Sequence, residues 1–480
     1  MRGRSSARLV GLSLTAALLP AVPAHAQEGQ LAADFRREAG HVAEKCAGVA
    51  PKTVLGCAMV LITDHPLHLS IGSIAPGNGF AFGLAFVPPQ WNPNDDWRIR
   101  WSADAVATPA GAWRAGAYFK FVNTRMGDIV VTRPDEGTPS DEARPRPYPT
   151  LTAHAQVTSL PAVSYFGLGP DSTLDGRSAF SMRQTSLGAR AFWPIGRSGP
   201  LNRLNTVAIG EVSGRWVRIG DPTHGTDPSI TALYTDETAP GLETQPATIQ
   251  FSEGIRVAPA LGRLQLTYTG RLQQSVAPSD ETASFRRWSL DLRHDVGLWS
   301  TGRAPAVREA NTPNECTTGA DRTVTTYGCP DPTIVTTNRN GTIGLRAFVS
   351  RASASDDGRV PFYFQPTVGG ADIDGERLLA SYEDYRFRAP NVLVLQAMIE
   401  HVIWGPIGAF GAVEQGRVAL AGDSLTDGAF RRTYGAGLTL RAGGMPMATL
   451  WWARGGTEGS RVAFLMNTSL FGGSPRPPLQ

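Results

Sequence analysis

In the stretch LQLTYTGRLQ, residues 264–273, Leu264, Leu266, Tyr268 and Leu272 alternate with Gln265, Thr267, Thr269, Arg271 and Gln273. This is the period of two of a β-strand with one apolar and one polar face. It returns at Trp97, Ile99, Trp101, Ala103 and Ala105 against Arg98, Arg100, Ser102 and Asp104, and again at Trp288, Leu290, Leu292, Val296 and Leu298 against Arg287, Asp291, Arg293 and Asp295. One such strand does not separate a soluble sandwich, whose oily faces pack together, from a membrane barrel, whose oily face meets lipid. Length favours the barrel. Several runs reach about nine to twelve residues, beyond the usual five or six of soluble sheets and close to the 9–11 that cross a bilayer. Trp97, Trp193, Trp216, Trp299, Trp404 and Trp451 sit near strand ends, where interfacial girdles belong.

Composition agrees. With 18% charged and 41% hydrophobic residues and a net charge of +3, a disordered tail protein and a strongly basic nucleic-acid binder are excluded. The 53 glycines and 36 prolines follow no three-residue period, which excludes collagen and favours many turns. Beyond the N-terminal segment no apolar run reaches 18 residues, so a membrane role requires strands. Residues 1–26 read as a secretory signal peptide: Arg2, Arg4 and Arg8, an apolar run from Leu9 to Leu19, then Ala24-His25-Ala26 before Gln27. Export into an oxidising compartment, with the close spacing of the cysteines, predicts two local disulfides, Cys46 with Cys57 and Cys316 with Cys329. Each would contribute about 3 kcal/mol, less any strain. Zinc is the rival, but no CxxC is present and only His41 lies near the first pair.

Alternating runs fall near 67–73, 78–87, 97–107, 113–123, 151–163, 178–195, 205–219, 246–258, 262–275, 284–299, 341–352, 391–404, 408–418, 429–441, 446–455 and 460–471. The expected fold class is all-β, a transmembrane antiparallel β-barrel of about 16 strands over 67–471, in the outer membrane of a Gram-negative bacterium. Residues 27–66 are expected as a short periplasmic segment with one helix, and 472–480 as a tail. With both ends periplasmic, the short turns at 404–408, 441–446 and 258–262 fall inside, and the longer links at 164–177, 220–245, 353–390 and 419–428 fall outside, as barrel topology requires. Two long segments, 123–150 and 301–340, land on the periplasmic side: either they are excursions there, or the strand count slips by one beside them.

From about residue 60 onward the chain resembles the outer-membrane assembly-factor barrels of the BamA/TamA superfamily, also called bacterial surface antigens. Tyr165-Phe166-Gly167-Leu168-Gly169-Pro170-Asp171-Ser172 is similar to an outer-loop signature of that family. Val360-Pro361-Phe362-Tyr363, Gly369-Gly370 and Tyr385-Arg386-Phe387-Arg388 are similar to its sixth-loop region. Ala412 to Val418, Tyr434 to Leu438 and Ala453-Arg454-Gly455 resemble the strands that follow. The resemblance implies a role in membrane biogenesis, with unfolded outer-membrane or secreted proteins as clients, beside outer-membrane lipids.

Departures from the family pattern qualify that role. The sixth loop of the family carries an arginine that folds into the lumen against acidic groups; here Ala380 occupies the place within Leu379-Ala380-Ser381-Tyr382. Glu400 and Glu414 thus lack that partner, and Arg377 or Arg386 stands as a substitute clamp. Alternatively, Arg377, Arg386 and Arg388 line a polar lumen or meet lipid head groups. Glu400 shares parity with Val394 and Gln396, which turns it toward the lumen. Residues 27–66 leave no room for the client-gripping periplasmic modules of the family, each on the order of 75 residues, and the family's terminal aromatic is displaced to Phe471.

No catalytic, cofactor or metal site is expected. His154, His224, His294 and His401 are scattered, and neither a Gly-x-Ser-x-Gly elbow nor an HExxH pair is present. The reading is a non-enzymatic monomer that binds no nucleic acid and acts in outer-membrane biogenesis by protein insertion or translocation. A passive pore or structural barrel is the second reading.

Overall fold

The computed structural model describes residues 67–466 apart from 89, 95, 126–147, 197–200, 202–203, 262–263, 306–315, 319–322, 326–332, 443–444 and 457. Eighteen strands form one antiparallel sheet, of which two, Trp91–Asn94 and Ala260–Leu261, are stubs. The other sixteen are β1 (Leu67–Ser73), β2 (Phe80–Phe86), β3 (Trp97–Ala107), β4 (Trp113–Asn123), β5 (Thr150–Tyr165), β6 (Ser178–Pro194), β7 (Val207–Gly220), β8 (Thr248–Val257), β9 (Leu264–Val276), β10 (Phe285–Pro305), β11 (Thr333–Ala354), β12 (Asn391–Trp404), β13 (Ile407–Ala419), β14 (Arg431–Ala442), β15 (Met445–Arg454) and β16 (Ser460–Met466). Each pairs with its sequence neighbour, so the chain runs up and down around the wall.

Register turns the sequence alternation into two faces. Leu272 lies opposite Trp288, and Trp288 opposite Arg351, while Gln273 lies opposite Arg287 on the other side. The apolar face is the open one: Leu272 is 45% and Trp288 44% exposed, whereas Arg114, Gln156, Gln184, Arg215 and Gln250 are buried. A soluble sandwich has the reverse distribution, because its oily faces must leave water. Oil outside and polar groups inside is the pattern of a wall whose solvent is hydrocarbon. No described helix is long and apolar enough to cross a membrane, so the crossing is made by strands. The protein is a β-barrel of the Gram-negative outer membrane.

Curvature brings the two ends of the sheet to one loop. Tyr385 Oη donates to Pro76 O, beyond β1, at 3.1 Å. Its neighbour Asp384 meets Arg461 of β16 at 3.2 Å. The largest apolar core lies at the end carrying the links 166–177, 221–247 and 355–390, where Leu160, Tyr165, Phe180, Ile230 and Phe362 pack together.

Two expectations change. Trp451 is no girdle residue: it is 6% exposed, points inward opposite Gly437, and packs its ring, tilted, 5.5 Å from that of Phe410. Its neighbour Trp452 takes the lipid side, a one-residue shift that flips the face. The segment 301–340 is not a separate link throughout, since the β10–β11 ladder continues to Pro305 opposite Thr333 with a register shift beside Trp299. The strands flanking 126–147 and 306–332 meet those segments at the same end of the barrel as the short turns, and the described strands keep their up-and-down order there. Cys46, Cys57 and Cys329 lie outside the described residues, as do the leader 1–26, the segment 27–66 and the tail 472–480, so the disulfide pairings and these boundaries lie outside them too.

Candidate functional site

The link between β11 and β12 folds back into the barrel as a plug. Its residues are apolar where they meet the wall: Leu379 and Ala380 are fully buried, and Leu378, Tyr382 and Phe387 pack against Val392, Val394 and Val418 of the inward face. A two-residue ladder, Thr367–Val368 against Phe387–Arg388, ties the limbs of the loop together. Gly369 and Gly370 permit that approach. Both have positive φ, and a Cβ on Gly370 would sit 2.4 Å from Asp384 Oδ1. Leu379 and Tyr385 also have positive φ, 55° and 63°, a backbone state that an L-residue holds only when its surroundings impose it.

The structure places three of the four candidate residues in three separate contacts and leaves the fourth, Arg377, outside them. Arg386 is the plug's anchor. Its Nε and Nη2 donate to the two oxygens of Glu458 at 2.8 and 2.7 Å, and its other bonds reach Ser172 Oγ and Ser172 O. The guanidinium lies 4.4 Å from the Phe387 ring centroid and 5.2 Å from that of Phe166. One fully buried arginine therefore joins three outer links, 166–177, 355–390 and 455–459, and it reaches neither Glu400 nor Glu414. Glu414 instead accepts the Ala380 N–H at 3.0 Å and the Gln396 amide at 2.7 Å. The backbone at the position of the missing arginine thus satisfies the acid. Glu400 does face the lumen but binds Arg441 at 2.6 Å and Thr439 at 3.0 Å, away from the plug.

Among the described residues Arg377 forms no side-chain hydrogen bond, and its Nε is buried without a partner. Burial holds its guanidinium below the ordinary value, opposed by the charges of Asp384 and Glu414. Further contacts on the plug were not read from the sequence. Arg461 donates to Tyr382 O at 2.7 Å and to Asp384; Ser381 Oγ and Thr433 Oγ1 are 2.7 Å apart. Arg346 joins Asp291 on the wall to Glu376 on the loop. Arg388 donates to Phe362 O and Gln365 O within the loop itself. Inward parity on their strands is the signal that could have found Arg461 and Arg346; nothing in the sequence marks Glu458.

Asp372 closes a tight turn, accepting the N–H groups of Asp374 and Glu376 at 3.0 and 2.7 Å. Burial, reinforced by the charges of Asp374 and Glu376, pushes its carboxyl up to about 8.

No protein-family model matches the chain, and no curated protein does so either. Among solved structures, CdiB from Acinetobacter baumannii is similar over 83% of this chain and 59% of its own, at 11% identity and TM-score 0.43. BamA from Haemophilus ducreyi lacking POTRA domains 1–3 is similar over 83% of this chain and 68% of its own, at 8% identity and TM-score 0.48. The copper transporter OprC is similar over 78% of this chain and 57% of its own, at 12% identity and TM-score 0.30. The chain thus spans little more than half the length of the first of these.

Proposed function

We propose that this barrel acts in outer-membrane biogenesis as a monomer without catalytic activity, presenting the seam between β1 and β16 to protein clients that are inserted or translocated. The observation that carries the reading is the seam itself. Among the described residues β1 pairs only with β2, and β16 only with β15. Every other junction is a ladder between neighbours; here the ends are linked through the plug, by Tyr385 to Pro76 and by Asp384 and Tyr382 to Arg461. An edge with unpaired N–H and C=O groups templates another strand, and a side-chain latch opens at lower cost than a full ladder.

The test is a panel of cysteine pairs between Leu67–Ser73 and Ser460–Met466, introduced in cells lacking the native gene, with assembly of other outer-membrane barrels read by quantitative proteomics. Oxidising the seam shut is expected to reduce client levels while the barrel itself remains folded. Unchanged client levels in both the locked and the deletion strains would overturn the proposal.

One observation favours the passive pore. Arg98, Arg100 and Lys120, on the inward parity of β3 and β4, are exposed, so water reaches that stretch of lumen wall. Single-channel conductance of the refolded protein, compared with a variant lacking 360–388, separates the two readings. A small current that opens widely on deletion supports a plugged barrel, and a large steady current in both supports a pore.

A further inference from the structure

The outward wall carries one rung at which charge is placed against itself. At the outer end of four adjacent strands the register aligns Trp113 on β4, Ser159 on β5, Arg183 on β6 and Arg218 on β7. Arg183 and Arg218 are direct cross-strand partners, and both are exposed. Side chains so paired have Cβ atoms about 5 Å apart, and like charges there repel. Among the described residues neither arginine makes an ion pair. The two nearby acids of the following link are engaged elsewhere: Asp221 with Ser229 and Thr231, Asp227 with Arg177 at 3.0 Å.

The rung is also shaped. Arg183 lies with its guanidinium 5.5 Å from the Trp113 ring centroid, reaching across the strand that carries the small Ser159. Trp216, 48% exposed, is on the same face two residues below Arg218. Below it the wall is apolar, with Leu187 58% and Val212 45% exposed. A lipid-facing tryptophan marks the level where hydrocarbon gives way to head groups, so the two arginines stand one rung beyond that level, at the depth of the lipid phosphates.

We infer that the Trp113, Ser159, Arg183 and Arg218 rung is a docking surface for a phosphate-bearing glycolipid of the outer leaflet. Its phosphate bridges the two guanidinium groups, and its acyl chains lie along the apolar wall beneath Trp216. The anion turns a repulsive pair into a bidentate clamp, the geometry in which arginine binds phosphate best. The inference rests on the orientation given by the long outer links and is independent of the proposed client-handling role.

The experiment is native mass spectrometry of the full-length folded barrel in non-ionic detergent with added diphosphorylated lipid A. The wild-type protein is expected to retain the lipid, R183Q/R218Q to retain at least tenfold less, and R286Q, on the outward face of β10, to match the wild type. Lipid A stripped of its phosphates is expected not to be retained. Thermal unfolding supplies a second readout with opposite signs: without lipid R218Q unfolds no lower than the wild type, because a repulsion has been removed, whereas with lipid A only the wild type gains stability. Equal retention by R183Q/R218Q, or equal retention of the dephosphorylated lipid, overturns the inference.

Discussion

Replacing Glu458 by Ala tests whether the Arg386 anchor holds the plug. The Arg386 side chain is 2% and that of Glu458 12% exposed, so removing the carboxylate leaves a guanidinium buried without its counter-ion. Breaking one side of a buried pair costs about 3–5 kcal/mol. Arg386 retains Ser172 Oγ at 2.9 Å and Ser172 O at 2.8 Å, together with its stack on Phe387, which places the loss at the low end, about 3 kcal/mol. At 1.4 kcal/mol per factor of ten, the ratio of docked to released loop falls by about two decades. Two assays read that ratio in the folded barrel: trypsin cleavage after Arg377 and Arg386, and conductance in planar bilayers. E458A is expected to be cut within the loop while the barrel survives and to show longer and larger openings, with E458Q intermediate because it keeps an acceptor but not the charge. Wild-type cleavage and conductance in E458A would refute the reasoning, since the docked loop would then owe nothing to this pair.

Glu414→Ala leaves the Ala380 N–H buried without its acceptor and is expected to weaken the plug by about 1–3 kcal/mol, seen as faster amide exchange at Ala380. Gly370→Ala places a methyl 2.4 Å from Asp384 Oδ1 at φ +60°, and is expected to release the loop and raise the conductance. Asp372 titrates at about 8 in the folded loop against about 3.9 for an unperturbed aspartate, so its contribution to stability is full below pH 4 and is lost as pH rises through 8. Protease sensitivity of 371–378 should accordingly grow between pH 5 and 9, and D372N should flatten that dependence. Leu272→Arg puts a charge on the lipid face and is expected to cost about 2–4 kcal/mol in a bilayer unfolding titration, whereas Gln265→Arg, on the lumen parity opposite Asp295, leaves stability near that of the wild type.

The wall was legible because it is built from local pattern. Leu264 to Gln273 reveal their two faces by parity, and the register of β9 on β10 adds only which strand stands beside which. Parity also turns Glu400 inward, but a lumen holds several cations, and only the fold decides that Arg441 rather than the loop arrives there. Trp451 shows the limit of that reading: an aromatic near a strand end is ambiguous between girdle and lumen until the register fixes its face. The plug was least legible. Its anchor joins residues separated by 72 and 214 positions, and its acid Glu458 sits in a short turn with no periodicity at all. That Ala380 would satisfy Glu414 through its N–H has no side-chain signature, because every residue but proline carries that group.

The latch formed by adjacent residues of one loop has a consequence for biosynthesis. Tyr385 bonds to a residue 309 positions earlier, and Tyr382 to one 79 positions later. The first bond waits for the wall to curl back to the first hairpin, and the second for the last strand to be made. Loop closure over such separations is slow and belongs at the end of folding. Complete docking of 355–390 therefore follows completion of the wall, and a chain stalled short of β16 carries a loop without its contacts to Arg461.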